Sequence, residues 1–268
     1  MKNFFLILTF LISRESFSQS YELIQSISID KPTEVSIDQG GNIYFATFNG
    51  DIIRYDPLLK NRLIFSPGNP TTATVLEAWQ GLRIFIFHRD LQQYRLINRN
   101  LSLHEDYSFP PELIGFVEIA TPSYDNNIWL IDQVDFSLIK YNINSKTVAS
   151  RTPLNQLLIS SSNEIMFCKE YQNRLFISTK NYGILIFDNF GNYIKTFQYP
   201  GVSSFNFWKD NMYFISENKL VNLNLYNEES FTEEISTQTD WLFALIFENR
   251  LYLFSEKQLI LYIKKNPH

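Results

Sequence analysis

Six segments of the chain repeat one pattern: a turn rich in Asn, Gly or Asp, an aliphatic–aromatic–apolar strand, a polar turn, and a second apolar strand. They begin at Gly41, Gly81, Asn126, Asn173, Asp210 and Asn249, and their aromatic anchors are Tyr44, Phe85, Trp129, Phe176, Tyr213 and Tyr252. Successive anchors lie 41, 44, 47, 37 and 39 residues apart. An interval of about forty residues holds four short strands with their turns, the size of one propeller blade. A helical solenoid could share the period, but it needs an amphipathic 3.6-residue pattern, and none is visible. The repeat therefore predicts an all-β fold, a six-bladed β-propeller with four-stranded antiparallel blades.

Within blade one the pattern predicts strands over 33–38, 43–48, 51–56 and 62–66, and within blade four over 164–169, 175–179, 183–188 and 193–198. Asn49-Gly50 is hairpin chemistry, because both residues tolerate the positive φ of the tightest turns. The last blade has room for three strands only, over 241–247, 250–254 and 258–264. An unassigned strand over 21–29 precedes blade one. Pairing it with the last blade would close the ring and cover the edge that a three-stranded blade exposes.

The chain is 45% hydrophobic and 16% aromatic, ample for the large core that 268 residues of closed β-structure need. A net charge of −5 with both signs scattered offers no basic stripe. That excludes nucleic acid and anionic membrane surfaces as partners. Cys168 is the one cysteine, so no internal disulfide forms, and its apolar setting at 165–168 reads as a buried small hydrophobe.

Lys2, an apolar run over 4–12 and small residues at Ser16, Ser18 and Ser20 form the three-part pattern of a secretory signal peptide. The run is shorter than the roughly 20 residues that span a bilayer. The expected organisation is a signal peptide over 1–18, with cleavage near Ser18 or Ser20, and one propeller domain over 19–268. The expected product is soluble, monomeric and exported to the periplasm or the exterior, without a membrane span.

Pro32-Thr33-Glu34-Val35-Ser36-Ile37-Asp38, followed by Gly41-Asn42-Ile43-Tyr44-Phe45-Ala46, resembles a blade of the NHL-type propellers. The chain is also similar to the gluconolactonase-like group and to exported propellers of Bacteroidetes. In place of the usual Gly stands Glu34, and in place of the final Asp stands Thr47. The resemblance implies a six-bladed shape more than a function. The gluconolactonase-like likeness adds one alternative, a hydrolase holding a divalent cation such as calcium at the axial channel.

Motifs for serine hydrolysis, zinc hydrolysis, phosphate loops and calcium loops are all absent. His88, beside Arg89 and Asp90, reads as a turn-facing polar residue rather than a general base. Glu34, Glu77, Glu118 and Glu164 fall on the expected first strands of blades one to four, which would line the channel. They lie 10, 8, 11 and 12 residues before their anchors, so they share no register. Trp79, Trp208 and Trp241 fall on or near first strands and would either fill space between blades or stack on sugars.

With no catalytic set, the leading expectation is a non-enzymatic scaffold that binds a protein partner in the cell envelope, without a cofactor. Rigid scaffolds carry their function on loops. The candidate contacts are therefore the central hairpins: Asn49 and Asp51, His88 to Asp90, Asp135 and Phe136, Tyr182, and Glu217 and Lys219. The hairpin at 256–257 and the connections at 67–70 and 110–111 are expected on the same face.

Overall fold

The computed structural model describes residues 21–79, 82–158, 165–235 and 239–265, in 24 β-strands and, among the described residues, no helix. Chain order gives β1 (Tyr21–Ser28), then blade one as β2 (Pro32–Ile37), β3 (Ile43–Thr47), β4 (Ile52–Tyr55) and β5 (Arg62–Phe65). Blade two is β6 (Val75–Glu77), β7 (Arg83–His88), β8 (Gln93–Asn98) and β9 (His104–Ser108). Blade three is β10 (Val117–Pro122), β11 (Asn127–Asp132), β12 (Ser137–Asn142) and β13 (Thr147–Pro153). Blade four is β14 (Ile165–Tyr171), β15 (Arg174–Thr179), β16 (Gly183–Asp188) and β17 (Tyr193–Phe197). Blade five is β18 (Asn206–Trp208), β19 (Asn211–Ser216), β20 (Lys219–Asn224) and β21 (Ser230–Glu234). Blade six is β22 (Phe243–Phe247), β23 (Arg250–Phe254), β24 (Gln258–Lys264) and, outermost, β1.

Six antiparallel sheets of four strands thus form a six-bladed β-propeller. β1 pairs with β24 from Tyr21 opposite Lys264 to Ser28 opposite Gln258, which removes the open edge of the last blade. The first strand of blade six starts at Phe243, two residues later than expected, and Trp241 before it is buried in the core.

Burial is greatest in the second strands and least in the outermost ones. β3 is buried along its whole length, whereas every residue of β9 is exposed. Apolar residues on both sides of the inner strands therefore meet the two neighbouring blades, which is why these strands read as continuous hydrophobic runs. Asp38 shows how the turns are fixed. Its carboxylate accepts from the backbone N–H of Gly40 and Asn42 and from the Tyr44 hydroxyl, so the turn and its anchor lock together.

Opposite each anchor on the first strand stand Ser36, Glu77, Thr121, Lys169, Asn206 and Leu245. All six are buried. Two of them tie a blade to the next: Ser36 Oγ accepts from Ala78 N, and Asn206 Oδ1 accepts from Ile246 N, each at 2.9 Å. The registers of β2, β10 and β14 shift at Thr33, Glu118 and Met166, a bulge near the start of each first strand.

Strand alternation gives the ring two faces. One carries the turns between first and second strands, here called the turn face. The other carries the hairpins between second and third strands together with the blade-to-blade connections, here called the hairpin face. On the hairpin face the connections clamp the hairpins, as where Thr72 Oγ1 donates to Phe48 O and Gln133 N donates to Phe116 O.

Candidate functional site

The carboxylates expected along the channel do not gather. Glu77 and Lys169 form an ion pair at 2.8 Å with both side chains buried, and the other oxygen of Glu77 accepts from Trp79 N at 2.6 Å. Glu34 sits one layer away, opposite Ala46, with part of its surface still accessible. Burial among protein pushes its carboxyl well above the usual carboxylate range. Cys168 is buried, and the charges of Glu34 and Glu77 bear on it. Burial, and then those charges, push its thiol well up.

Glu118 occupies the bulge of β10 and pairs instead with Arg89 of the hairpin face at 2.8 Å. Glu164 lies outside the described residues. Among the described residues no group of three His, Cys, Asp or Glu side chains is placed to hold a metal. At Glu77 the ammonium of Lys169 already supplies the positive charge, so Glu77 as arranged does not fit a divalent cation. Trp241 is 7% exposed in the core, and Trp208 packs on Phe247 with ring centroids 4.6 Å apart. Trp79 reaches the mouth of the axis on the turn face, 6.2 Å from the Tyr171 ring.

The central hairpins lie together on the hairpin face. Asn49, Asp90, Asp135, Tyr182 and Glu217 are exposed there, and Asp51, Arg89, Phe136 and Lys219 are partly exposed. His88 departs from its expected place. It is buried, not turn-facing, because the connection before β6 folds over the end of β7: Thr74 N donates to Phe87 O, and His88 Nδ1 lies 3.1 Å from Thr72 O. Burial holds its imidazole below the ordinary histidine range.

Of the apolar tips of these hairpins, sequence reasoning named Tyr182 and missed the other three. Phe48 is 75% exposed in blade one, Leu91 50% in blade two, Val134 75% in blade three and Tyr182 36% in blade four. Leu113 and Phe116, in the connection between blades two and three, are also exposed on this face. The signal was one large apolar residue at the tip of each of four consecutive hairpins.

Among the recesses of the turn face, two are bordered by Tyr124. One of 250 Å³ at the axial mouth is lined by Trp79, Tyr124 and residues 170–173. One of 650 Å³ lies between blades two and three. Tyr124 borders both and is anchored by its backbone N–H, which donates to the buried Glu170 of blade four at 3.0 Å. Glu170 also accepts from Ser123 Oγ at 2.6 Å and from Trp129 Nε1 at 2.5 Å. One carboxylate therefore fixes the turn that carries Tyr124.

Fold and surface together define a β-propeller with one hairpin-covered face and one recessed face. No family model matches the chain, and no curated protein matches it in sequence. Its shape is similar to several solved structures. The β-propeller domain of Cps50 (Swd1) from Myceliophteria thermophila superposes with a TM-score of 0.64 at 8% identity, over 91% of this chain and 100% of that one. A streptogramin B lyase superposes at 0.63 and 13% identity, over 95% and 90% of the two chains. BamB from Moraxella catarrhalis superposes at 0.52 and 10% identity, over 91% and 99%. At these identities the likeness is one of fold alone. Among the described residues no helix is long and apolar enough to cross a membrane.

Proposed function

We propose that this chain is an exported, non-enzymatic propeller that binds a protein partner of the cell envelope through its hairpin face. The observation that carries the reading is the run of apolar tips, Phe48, Leu91, Val134 and Tyr182, on four adjacent blades. Large exposed apolar groups clustered on one face and rimmed by polar groups mark protein-interaction surfaces. The rim is mixed in sign: Asp51, Asp90, Asp135 and Glu217 alternate with Arg89 and Lys219. The partner that fits is a protein presenting an apolar patch within a mixed-charge border. Export rests on the signal-peptide pattern over 1–18, and the NHL-like signature of blade one agrees with a binding scaffold.

The test is quantitative capture from envelope extracts by the purified protein. A Phe48→Ser/Val134→Ser double variant should lose the captured partner. A Tyr226→Ser/Phe231→Ser control, altering exposed aromatics away from these hairpins, should retain it. Equal capture by both would refute the hairpin face as the docking surface.

A further inference from the structure

The recess between blades two and three has a physical origin that the other interfaces expose. At two interfaces the anchor of one blade meets the first-strand residue that follows the one opposite the next blade's anchor. Between blades three and four, Trp129 meets Glu170, and between four and five, Phe176 meets Phe207 with ring centroids 4.8 Å apart. Between two and three, the lining holds Phe85 and Pro122, which follows Thr121 in the same register. Neither side chain fills the wedge, and 650 Å³ remains, a volume within the range of small-molecule sites.

We infer that this cleft is a binding site for a small planar aromatic anion. Behind one wall Phe85 and Tyr94, 2% and 5% exposed, stack on each other with centroids 5.6 Å apart and planes 21° from parallel, and only their edges reach the cleft. The facing wall is aliphatic, built from Pro122, Ile128 and Ile143. A flat apolar body fits between such walls, burying both of its faces. The rim supplies the exposed Asn126 and a single charged residue, Arg83. No carboxylate lines the cleft among the described residues, so the rim favours an anionic head over a cationic one. Arg83 is available to it: its side chain is 58% exposed and is held by Glu105 through Nη1 in an exposed pair. Such pairs are weak and readily exchanged. Nothing in this site depends on the hairpin face, which lies at the other end of the ring.

The probes are anilinonaphthalene sulfonate, a planar aromatic anion, and phenylnaphthylamine, the same ring system without the sulfonate. Fluorescence titration of the full chain should show one saturable sulfonate site per chain, bound about fivefold tighter than the neutral compound, as expected for one exposed ion pair. Arg83→Gln should erase that preference and leave the neutral compound unchanged. Ile143→Trp, which fills the cleft, should weaken both about tenfold or more while the native melting transition is kept. Should Ile143→Trp not fold, Leu82→Asp on the exposed rim decides: it must weaken the sulfonate alone. Absence of a saturable site, an Arg83→Gln protein that keeps its preference, or an unaffected filled or rim variant would each overturn the assignment.

Discussion

The ammonium of Lys169 in blade four meets the carboxylate of Glu77 in blade two at 2.8 Å, past the intervening first strand of blade three. Both are buried, and both stand opposite the aromatic anchor of their own blade. Removing one partner strands the other charge, so Lys169→Met should cost about 3–5 kcal/mol. Lys169→Met combined with Glu77→Leu should recover most of that loss, since an apolar pair needs no compensating charge. Urea denaturation of the single and double variants measures both. A double variant no more stable than Lys169→Met would show that the pair does more than neutralise itself.

Glu170 satisfies three donors: Ser123 Oγ, Tyr124 N and Trp129 Nε1. Glu170→Ala leaves them in the interface between blades three and four without an acceptor, and should cost about 3 kcal/mol or more. Glu170→Gln keeps one acceptor oxygen and should cost less. Denaturation curves for the two variants give the order, and equal losses would contradict the account.

Glu34 has a folded-state pKa above that of the unfolded chain, and burial is the cause. The native state therefore holds its proton over a pH range in which the unfolded state has lost it. Stability from this group is present below the ordinary carboxylate value, about 4.3, and is lost as pH rises toward the raised one. Asp56 and Asp188 shift down, through hydrogen bonds that outweigh their modest desolvation, and act in the opposite sense. The informative quantity is thus the difference from Glu34→Gln. The stability of Glu34→Gln relative to wild type should grow as pH rises above about 4 toward the raised value. A difference flat with pH would place the Glu34 carboxyl in contact with water.

Gly183 opens β16 at φ 94°, and a Cβ there would strike the carbonyl oxygen of Phe197. Gly183→Ala combines backbone strain with a clash and should destabilise by more than about 1 kcal/mol. Gly68 has no atom within 4 Å of an added Cβ and no positive φ. Gly68→Ala should be neutral or stabilising by up to about 1 kcal/mol, through the unfolded chain. Melting temperatures of the two variants separate these outcomes.

β1 is the outer strand of blade six, joined to β24 from Tyr21 to Ser28. A chain starting after Ser28 should melt at a lower temperature and self-associate, because β24 would become an unpaired edge. Size-exclusion chromatography reads the association directly. A monomeric truncated chain of unchanged melting temperature would show that ring closure does not depend on β1.

The sequence alone determined the blade number, the position of every anchor and the closing role of the N-terminal strand. These depend on local pattern: turn chemistry at Asp38–Gly41, alternation along each strand, and a period repeated six times. The strand over 183–188 and those over 250–254 and 258–264 fall where the pattern places them. The carboxylate registers were also legible, since unequal distances to the anchors already implied that Glu34, Glu77 and Glu118 do not stand in one layer.

Tertiary structure decided what each of these groups meets. Glu77 finds Lys169 from 92 residues further along (169 − 77), and no local pattern encodes that contact. His88 is buried by a connection that crosses the end of its strand. The cleft is lined by Phe85 and Pro122, which come from two different blades. Strands follow from side-chain periodicity, which is local. Pairs, burial and cavities follow from packing between repeats, where the sizes and charges of residues far apart in the chain are set against one another.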